Sequence, residues 1–253
     1  MGFFDDIILT SYKIAKEAGL LKSLSSFFRK KRKILLLGAT GTGKSQFFDS
    51  IDDALSSRLT HTDRTAFPQK RRVIIKGIPF IFNDTPGQIA NEATRKTAIK
   101  DAIRSDYEGI INIVCYGYHE ADEADRSLAL ITENNELTVN QDFLIDRRKV
   151  ELDLLSEWIP FLDDKDAKWI LTIVTKADLW WPDQNEILNY YKSGKYSKLI
   201  SNCKIPHSVI PYCSIIEPFF DTKTSGKFGD TTRKKLRQNL LESLIRITGE
   251  VRK

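Results

Sequence analysis

The apolar run Ile34-Leu35-Leu36-Leu37 leads directly into Gly38-Ala39-Thr40-Gly41-Thr42-Gly43-Lys44-Ser45. A continuous apolar tetrapeptide reads as a strand buried on both faces, the kind found in parallel sheets covered by helices. The eight residues after it have the spacing G-x-x-x-x-G-K-[ST] of a phosphate-binding loop that opens a helix. These twelve positions constrain the fold more than any others: strand, tight loop, helix, with a ligand site at the strand's carboxyl end. Glycines at 38, 41 and 43 let the backbone turn and point its N–H groups inward. With the helix N-terminus beyond them they form an anion cradle. Lys44 supplies a cation for the outer phosphates, and the Ser45 hydroxyl can hold magnesium. The loop indicates a nucleoside triphosphate without saying which base.

The rest of the chain alternates in the same style. Apolar runs predict strands at 73–76 and 79–82, a hairpin about Gly77, and further strands at 110–116, 169–174 and 209–213. Helical spacing predicts helices at 45–57, 92–106, 147–161, 184–200 and 231–247. Residues 58–70 read as a Thr-rich loop. Residues 117–146, acidic first and polar later, read as a surface insertion, partly helical. Strands alternating with helices mean a mostly parallel sheet with helices on both faces. A chain of 253 residues suits one such α/β domain.

Ahead of that domain, residues 3–28 carry apolar residues near helical spacing and are followed by five consecutive basic residues, Arg29 to Lys33. The division expected is residues 1–32 as an amphipathic helix with a basic run, and 33–253 as the main domain. The formal charge is +5, so the excess lies entirely in that run. Together with the lack of basic–aromatic interleaving, this argues against nucleic acid as a partner. A peripheral membrane contact through residues 3–33 is one reading of the segment. The preferred one is a helix packed on the core or on a second subunit. Met1 to Asp6 holds two acids and no basic n-region, so no secretory leader is expected. Three irregularly spaced cysteines form no disulfide or zinc framework, and a cytoplasmic location is expected.

Two more strand ends carry chemistry. Phe80-Ile81-Phe82-Asn83 runs into Asp84-Thr85-Pro86-Gly87-Gln88. An Asp there can support magnesium, the Gly87 N–H can meet a γ-phosphate, and Gln88 can orient an attacking water. The strand ending at Val174 runs into Thr175-Lys176-Ala177-Asp178. Asp178 can accept two hydrogen bonds from the amide N–H and exocyclic amine of guanine, a pair that adenine lacks. The Lys176 stem can lie over the base.

The ordered set Gly38–Ser45, Asp84–Gly87 and Thr175–Asp178 resembles the P-loop GTPases of the translation-factor-like class, with its Ras-like, Era-like, septin-like and dynamin-like members. The resemblance covers roughly residues 33 to 248. It implies a G domain with a six-stranded, mostly parallel sheet, helices on both faces and one antiparallel edge strand. It further implies GTP and GDP as substrate and product, and magnesium held by Ser45, Asp84 and a switch threonine. Thr60, Thr62 and Thr65 are the candidates for that threonine; Thr65, nineteen residues before Asp84, has the Era-like spacing. Carried over by position, Gly38, Thr40, Gly41, Thr42, Gly43, Lys44, Ser45, Gln46 and Gly87 surround the phosphates. Thr175, Lys176, Asp178 and Ser214 surround the base, and Lys44, Thr65 and Gln88 serve hydrolysis.

Two positions depart from the family pattern. Thr175 replaces the usual Asn, which in the family ties the base loop to the phosphate loop, so a lower nucleotide affinity is expected. The closing Ser-Ala pair of the family is represented by Cys213-Ser214-Ile215. The function expected is a GTP-hydrolysing molecular switch, slow without a partner. Set beside it are a P-loop ATPase or kinase, and a nucleotide-dependent assembly module that acts through a homodimer or a protein effector.

Overall fold

A computed structural model describes residues 31–51, 69–75, 77–84, 97, 100, 103, 107–120, 123–133, 136–162, 167–220, 222 and 226–249. The expected helices at 3–28 and 92–106 therefore lie wholly or mostly outside the described residues, as do Thr60, Thr62, Thr65, Gly87 and Gln88.

Strand β1 (Arg32–Gly38) is followed by helix α1 (Lys44–Ile51) and by the hairpin of β2 (Gln69–Ile75) and β3 (Ile78–Asp84). Next come β4 (Gly109–Val114), helix α2 (Glu123–Ala129), and a small hairpin of β5 (Leu130–Glu133) and β6 (Glu136–Val139). Helix α3 (Gln141–Trp158), strand β7 (Ile170–Val174) and the short helix α4 (Ala177–Trp180) come after it. Helices α5 (Gln184–Ser193) and α6 (Lys195–Ser201), strand β8 (His207–Pro211) and helix α7 (Asp230–Ile247) complete the order.

The main sheet has six strands in the order β2-β3-β1-β4-β7-β8. Only β2 runs antiparallel, and it lies at an edge. This is the expected doubly covered α/β architecture. Its two cores divide by the strand period of two: Leu35 and Leu37 pack with Leu155, Trp158 and Tyr191, while Ile34 and Leu36 pack with Phe47, Phe82 and Leu240. All four β1 residues are at most 1% exposed, as a strand buried on both faces requires. Among the described residues, no helix is long and apolar enough to cross a membrane.

Register places the strand ends in one row. Gly38 sits beside Ile113, Val114 beside Val174, Val174 beside Pro211, and Leu36 beside Asp84. The carboxyl ends of β1, β3, β4, β7 and β8 therefore lie along one edge of the sheet.

Several boundaries differ from the sequence reading, each for an identifiable reason. The strand expected over 110–116 ends at Val114. There the Cys115 N–H turns to the Glu151 side chain, the Tyr116 N–H turns to the Tyr191 hydroxyl, and Tyr116 takes a left-handed φ of 54°. The helix expected from 147 begins at Gln141, because the Asn140 side chain caps it by accepting the Asp142 N–H at 3.0 Å. It gives way to a 3-10 turn at Ile159–Phe161, where Pro160 removes a donor. The helix expected over 184–200 is two helices, interrupted at Gly194, whose ψ of −160° is extended. The last strand occupies 207–211 rather than 209–213. Within 117–146, residues 117–120 belong to the row of strand-end loops, and α2 and the β5–β6 hairpin follow before α3 begins.

Candidate nucleotide-binding site

The phosphate loop takes its shape from glycine and from its own donors. Gly38 has φ +145°, and a Cβ there would lie 2.4 Å from the Ile113 carbonyl oxygen, so no larger residue fits between β1 and β4. The Thr42 hydroxyl donates to the Ala39 carbonyl at 2.9 Å. The Phe47 N–H donates to the Gly43 carbonyl at 2.8 Å, starting α1 at the loop's end. Lys44 is 8% exposed, and its Nζ donates to the Gly38 and Ala39 carbonyls at 2.7 and 2.8 Å. A buried cation is thereby fixed among loop carbonyls, beside the inward N–H groups of the cradle. The Gln46 side-chain oxygen lies 3.7 Å from where a Cβ on Gly43 would sit.

The loop and its neighbours fit a phosphate and its metal. The buried Thr40 Oγ1 has no hydrogen-bond partner among the described residues. It is a polar atom in the phosphate loop suited to a ligand oxygen. Ser45 lies in the first turn of α1 and Asp84 closes β3, one strand over from β1. A hydroxyl and a carboxylate are hard oxygen donors of the type magnesium takes.

The base side is built by β7 and β8. Thr175 is 2% exposed, and its hydroxyl lies 2.6 Å from the Thr42 carbonyl and 3.0 Å from the Val114 carbonyl. The threonine hydroxyl thus makes the tie between the two loops, with one proton for two acceptors. Lys176 turns the chain with a left-handed φ of 56°. The Trp180 indole N–H donates to the Thr175 carbonyl at 2.8 Å and so supports the base loop from below. Asp178 is 4% exposed. Its Oδ1 accepts from the Cys213 thiol at 3.3 Å and its Oδ2 from the Glu217 N–H at 3.1 Å. Burial pushes its carboxyl above the usual aspartate value, against the hydrogen bonds from Glu217 and Cys213. A carboxylate offers about four lone-pair positions, so two further donors can be accepted.

Cys213 brings the residues after β8 to Asp178, so the sparse match at 213–215 falls at the base motif. Ser214 is 7% exposed; its hydroxyl accepts from Ser50 Oγ at 3.4 Å and its carbonyl accepts from Arg233 Nη1 at 3.1 Å. Its side chain therefore faces α1.

Sequence reasoning missed the segment 115–120. Glu151, from α3, is buried beneath it. Its Oε1 accepts from the Cys115 N–H (2.9 Å), the Gly117 N–H (3.3 Å) and His119 Nε2 (3.1 Å), and its Oε2 from the Tyr191 hydroxyl (2.6 Å). Burial pushes its carboxyl up, but the hydrogen bond and charge of His119, then the Tyr191 hydroxyl and the Cys115 N–H, hold it below the ordinary value. Cys115, His119 and Glu151 could by type ligate a metal, their ligand atoms lying within 4.8 Å of one another. The four donors on Glu151 instead mark it as a saturated hydrogen-bond hub. Gly117, at φ +88°, passes so close to α3 that a Cβ would lie 2.3 Å from the Leu144 carbonyl oxygen. The signal available in the sequence was position: Cys115 to Glu120 directly succeeds a buried strand that neighbours the phosphate-loop strand.

Fold and loop together define a P-loop nucleotide-binding protein. Residues 33–149 match the family model described as 50S ribosome-binding GTPase, which supports a GTP-binding P-loop G domain. The match takes in the phosphate loop, Asp84–Gly87 and β4, and ends within α3; the base motif lies beyond it. No curated protein matches the chain.

Proposed function

We propose that this protein hydrolyses GTP to GDP and phosphate and acts as a nucleotide-dependent switch. The observation that carries the reading is the Thr175–Thr42 hydrogen bond, which fixes Asp178 at a set distance from the phosphate loop. In this reading a guanine nucleotide lies with its base edge on the Asp178 carboxylate and its phosphates over the loop N–H groups. Lys44 neutralises charge on the outer phosphates. Ser45, Asp84 and Thr65 are the residues proposed to hold magnesium, which supplies further charge neutralisation when bound. Gln88 is proposed to orient the attacking water, and the Gly87 N–H to sense the γ-phosphate. The three buried free thiols favour a reducing compartment, and a cytoplasmic location is proposed on that ground.

Calorimetry with GTP, GDP, ATP and xanthosine triphosphate tests the base assignment, and phosphate release from GTP then tests turnover. Asp178→Asn is expected to weaken GTP by about 100-fold or more and to improve xanthosine triphosphate, because a carboxylate and an amide present opposite hydrogen-bond patterns. Wild-type preference for ATP, or unchanged GTP affinity in the variant, refutes the reading.

A further inference from the structure

Glu120 joins all the loops of the base side. Its backbone N–H donates to the Gly41 carbonyl of the phosphate loop at 3.3 Å. Its carboxylate accepts from Lys176 Nζ through Oε2 and from the Phe220 N–H, at 3.3 Å, through Oε1. One residue beyond β4 thus touches the phosphate loop, the base motif and the segment after β8. The Lys176 ammonium is also 5.7 Å from the centroid of the Phe219 ring, within cation–π range. Phe219 is 1% exposed and packs edge-on against Tyr118 at 5.2 Å. The same cluster includes Ala129 of α2 and Phe143 of α3, so the insertion braces the ring from behind.

Lysine has a flexible four-carbon stem and a strongly hydrated head. Left to itself it would sample many rotamers, and ordering it over a base would cost entropy at each binding event. Here both ends of the stem are set. The backbone is held in its left-handed turn, and the head is held by Glu120 against Phe219.

We propose that Glu120 is a positioning residue for the guanine nucleotide, a latch that holds the Lys176 stem over the base and slows nucleotide release. The inference rests on the GTP-binding reading of this site. It concerns the lifetime of the bound nucleotide, not its hydrolysis. Among the described residues the Glu120 carboxylate contacts Lys176 and Phe220, both on the base side, so the phosphate chemistry is left to other residues.

The test is stopped-flow release of a fluorescent methylanthraniloyl GDP from the full chain, for wild type, Glu120→Gln, Glu120→Ala, Lys176→Ala and the double alanine variant. A partly exposed ion pair with a second hydrogen bond implies release faster by about three- to tenfold in Glu120→Ala. Glu120→Gln keeps an acceptor for Phe220 and is expected to show about half that effect on a logarithmic scale. Because the two residues act as a unit, the double variant is expected to release no faster than Lys176→Ala alone. Added salt is expected to speed release more in wild type than in Glu120→Gln, the difference reporting the ion pair. Single-turnover hydrolysis of bound GTP is followed in the same samples, so that a change in release is read apart from any change in turnover. Should Glu120→Ala fail to fold, Glu120→Gln and the salt series carry the same comparison. Unchanged release in the glutamine variant, or fully additive effects in the double variant, overturns the latch. A chain that binds neither GDP nor GTP overturns the guanine reading and the latch with it. Tight GDP binding that is indifferent to Glu120 overturns the latch alone.

Discussion

Replacing Thr175 by valine tests the link on which the nucleotide site depends. The substitution conserves shape and removes one hydroxyl. In the native protein that hydroxyl lies 2.6 Å from the Thr42 carbonyl and 3.0 Å from that of Val114, at a position 2% exposed. Its single proton serves chiefly the nearer acceptor. Valine leaves both carbonyls without this donor in a place where water does not easily substitute. A lost buried hydrogen bond with an orphaned acceptor costs about 1–3 kcal/mol. For a chain of this size each kcal/mol moves the melting temperature by about 2–4 °C, so a fall of about 4–8 °C is expected for a loss near 2 kcal/mol. Thr42 belongs to the phosphate loop, so GTP affinity should fall as well, by about tenfold, equivalent to about 1.4 kcal/mol. Thr175→Asn provides the control, since its amide carries two N–H donors and can serve both carbonyls. It is expected to retain affinity and melting temperature or to raise them. The checks are differential scanning calorimetry of the free protein and nucleotide titration. A valine variant with unchanged melting temperature and affinity refutes the tie. Lost affinity at unchanged stability would instead place the hydroxyl on the nucleotide.

Glu151 and His207 give two pH-dependent expectations of known sign. Glu151 has a folded-state value below its ordinary one, so its stabilisation is complete above the ordinary carboxylate range and is lost as pH falls through the depressed value. Glu151→Gln should cost about 2–4 kcal/mol near neutrality, because an amide N–H₂ then faces N–H donors, and it should flatten the acid limb of stability measured by urea unfolding from about pH 3 to 7. His207, whose Nε2 lies 2.9 Å from Thr172 Oγ1, is held down to about 4 by burial. The unfolded chain therefore takes up the proton first, and stability should fall between about pH 6.5 and about pH 4, by about 2 kcal/mol after allowance for partial exposure, a slope that His207→Gln removes.

The parts of the fold that were legible in the sequence are those in which local pattern and tertiary demand coincide. Ile34 to Leu37 is apolar at every position because both sheet faces are covered, and the glycine spacing after it reports a backbone that must pass beside Ile113. The hairpin about Gly77 and the strand ends at Gly38, Asp84 and Val174 were readable on the same ground. Elements that depend on distant partners were not. Nothing within Cys115-Tyr116 says that its N–H groups will bond Glu151 and Tyr191, thirty-six and seventy-five residues away, rather than continue a strand. The α3 cap at Asn140 was hidden for a different reason: a polar residue in a polar run carries no periodic signal, although Asn is a favoured cap. Glu120 was counted among surface acids because exposure, not contact, is what a charged run suggests. The missed features are therefore not random. They are the side chains that join one strand-end loop to the next.

Those joints determine what the loops can still bind. Near the site, the Thr42 carbonyl is met by Thr175, the Gly38 and Ala39 carbonyls by Lys44, the Gly41 carbonyl by the Glu120 N–H, the Thr175 carbonyl by Trp180, and the Ser214 carbonyl by Arg233. Each of these acceptors already has a donor from within the chain. The character of the phosphate loop is then set by its N–H groups, the positive end of α1 and the Lys44 ammonium, all of which favour an anion. At the far end the balance reverses, where Asp178 retains acceptor capacity and sits among few competing donors. A ligand matched to both ends needs phosphates at one and paired N–H donors at the other, with a separation fixed by the Thr175 hydrogen bond. On the proposed reading, guanine supplies that pair of donors to Asp178 and adenine does not. Preorganisation of this kind lowers the ordering cost of binding. It also means that selectivity resides less in any one contact than in the rigidity of the link between them.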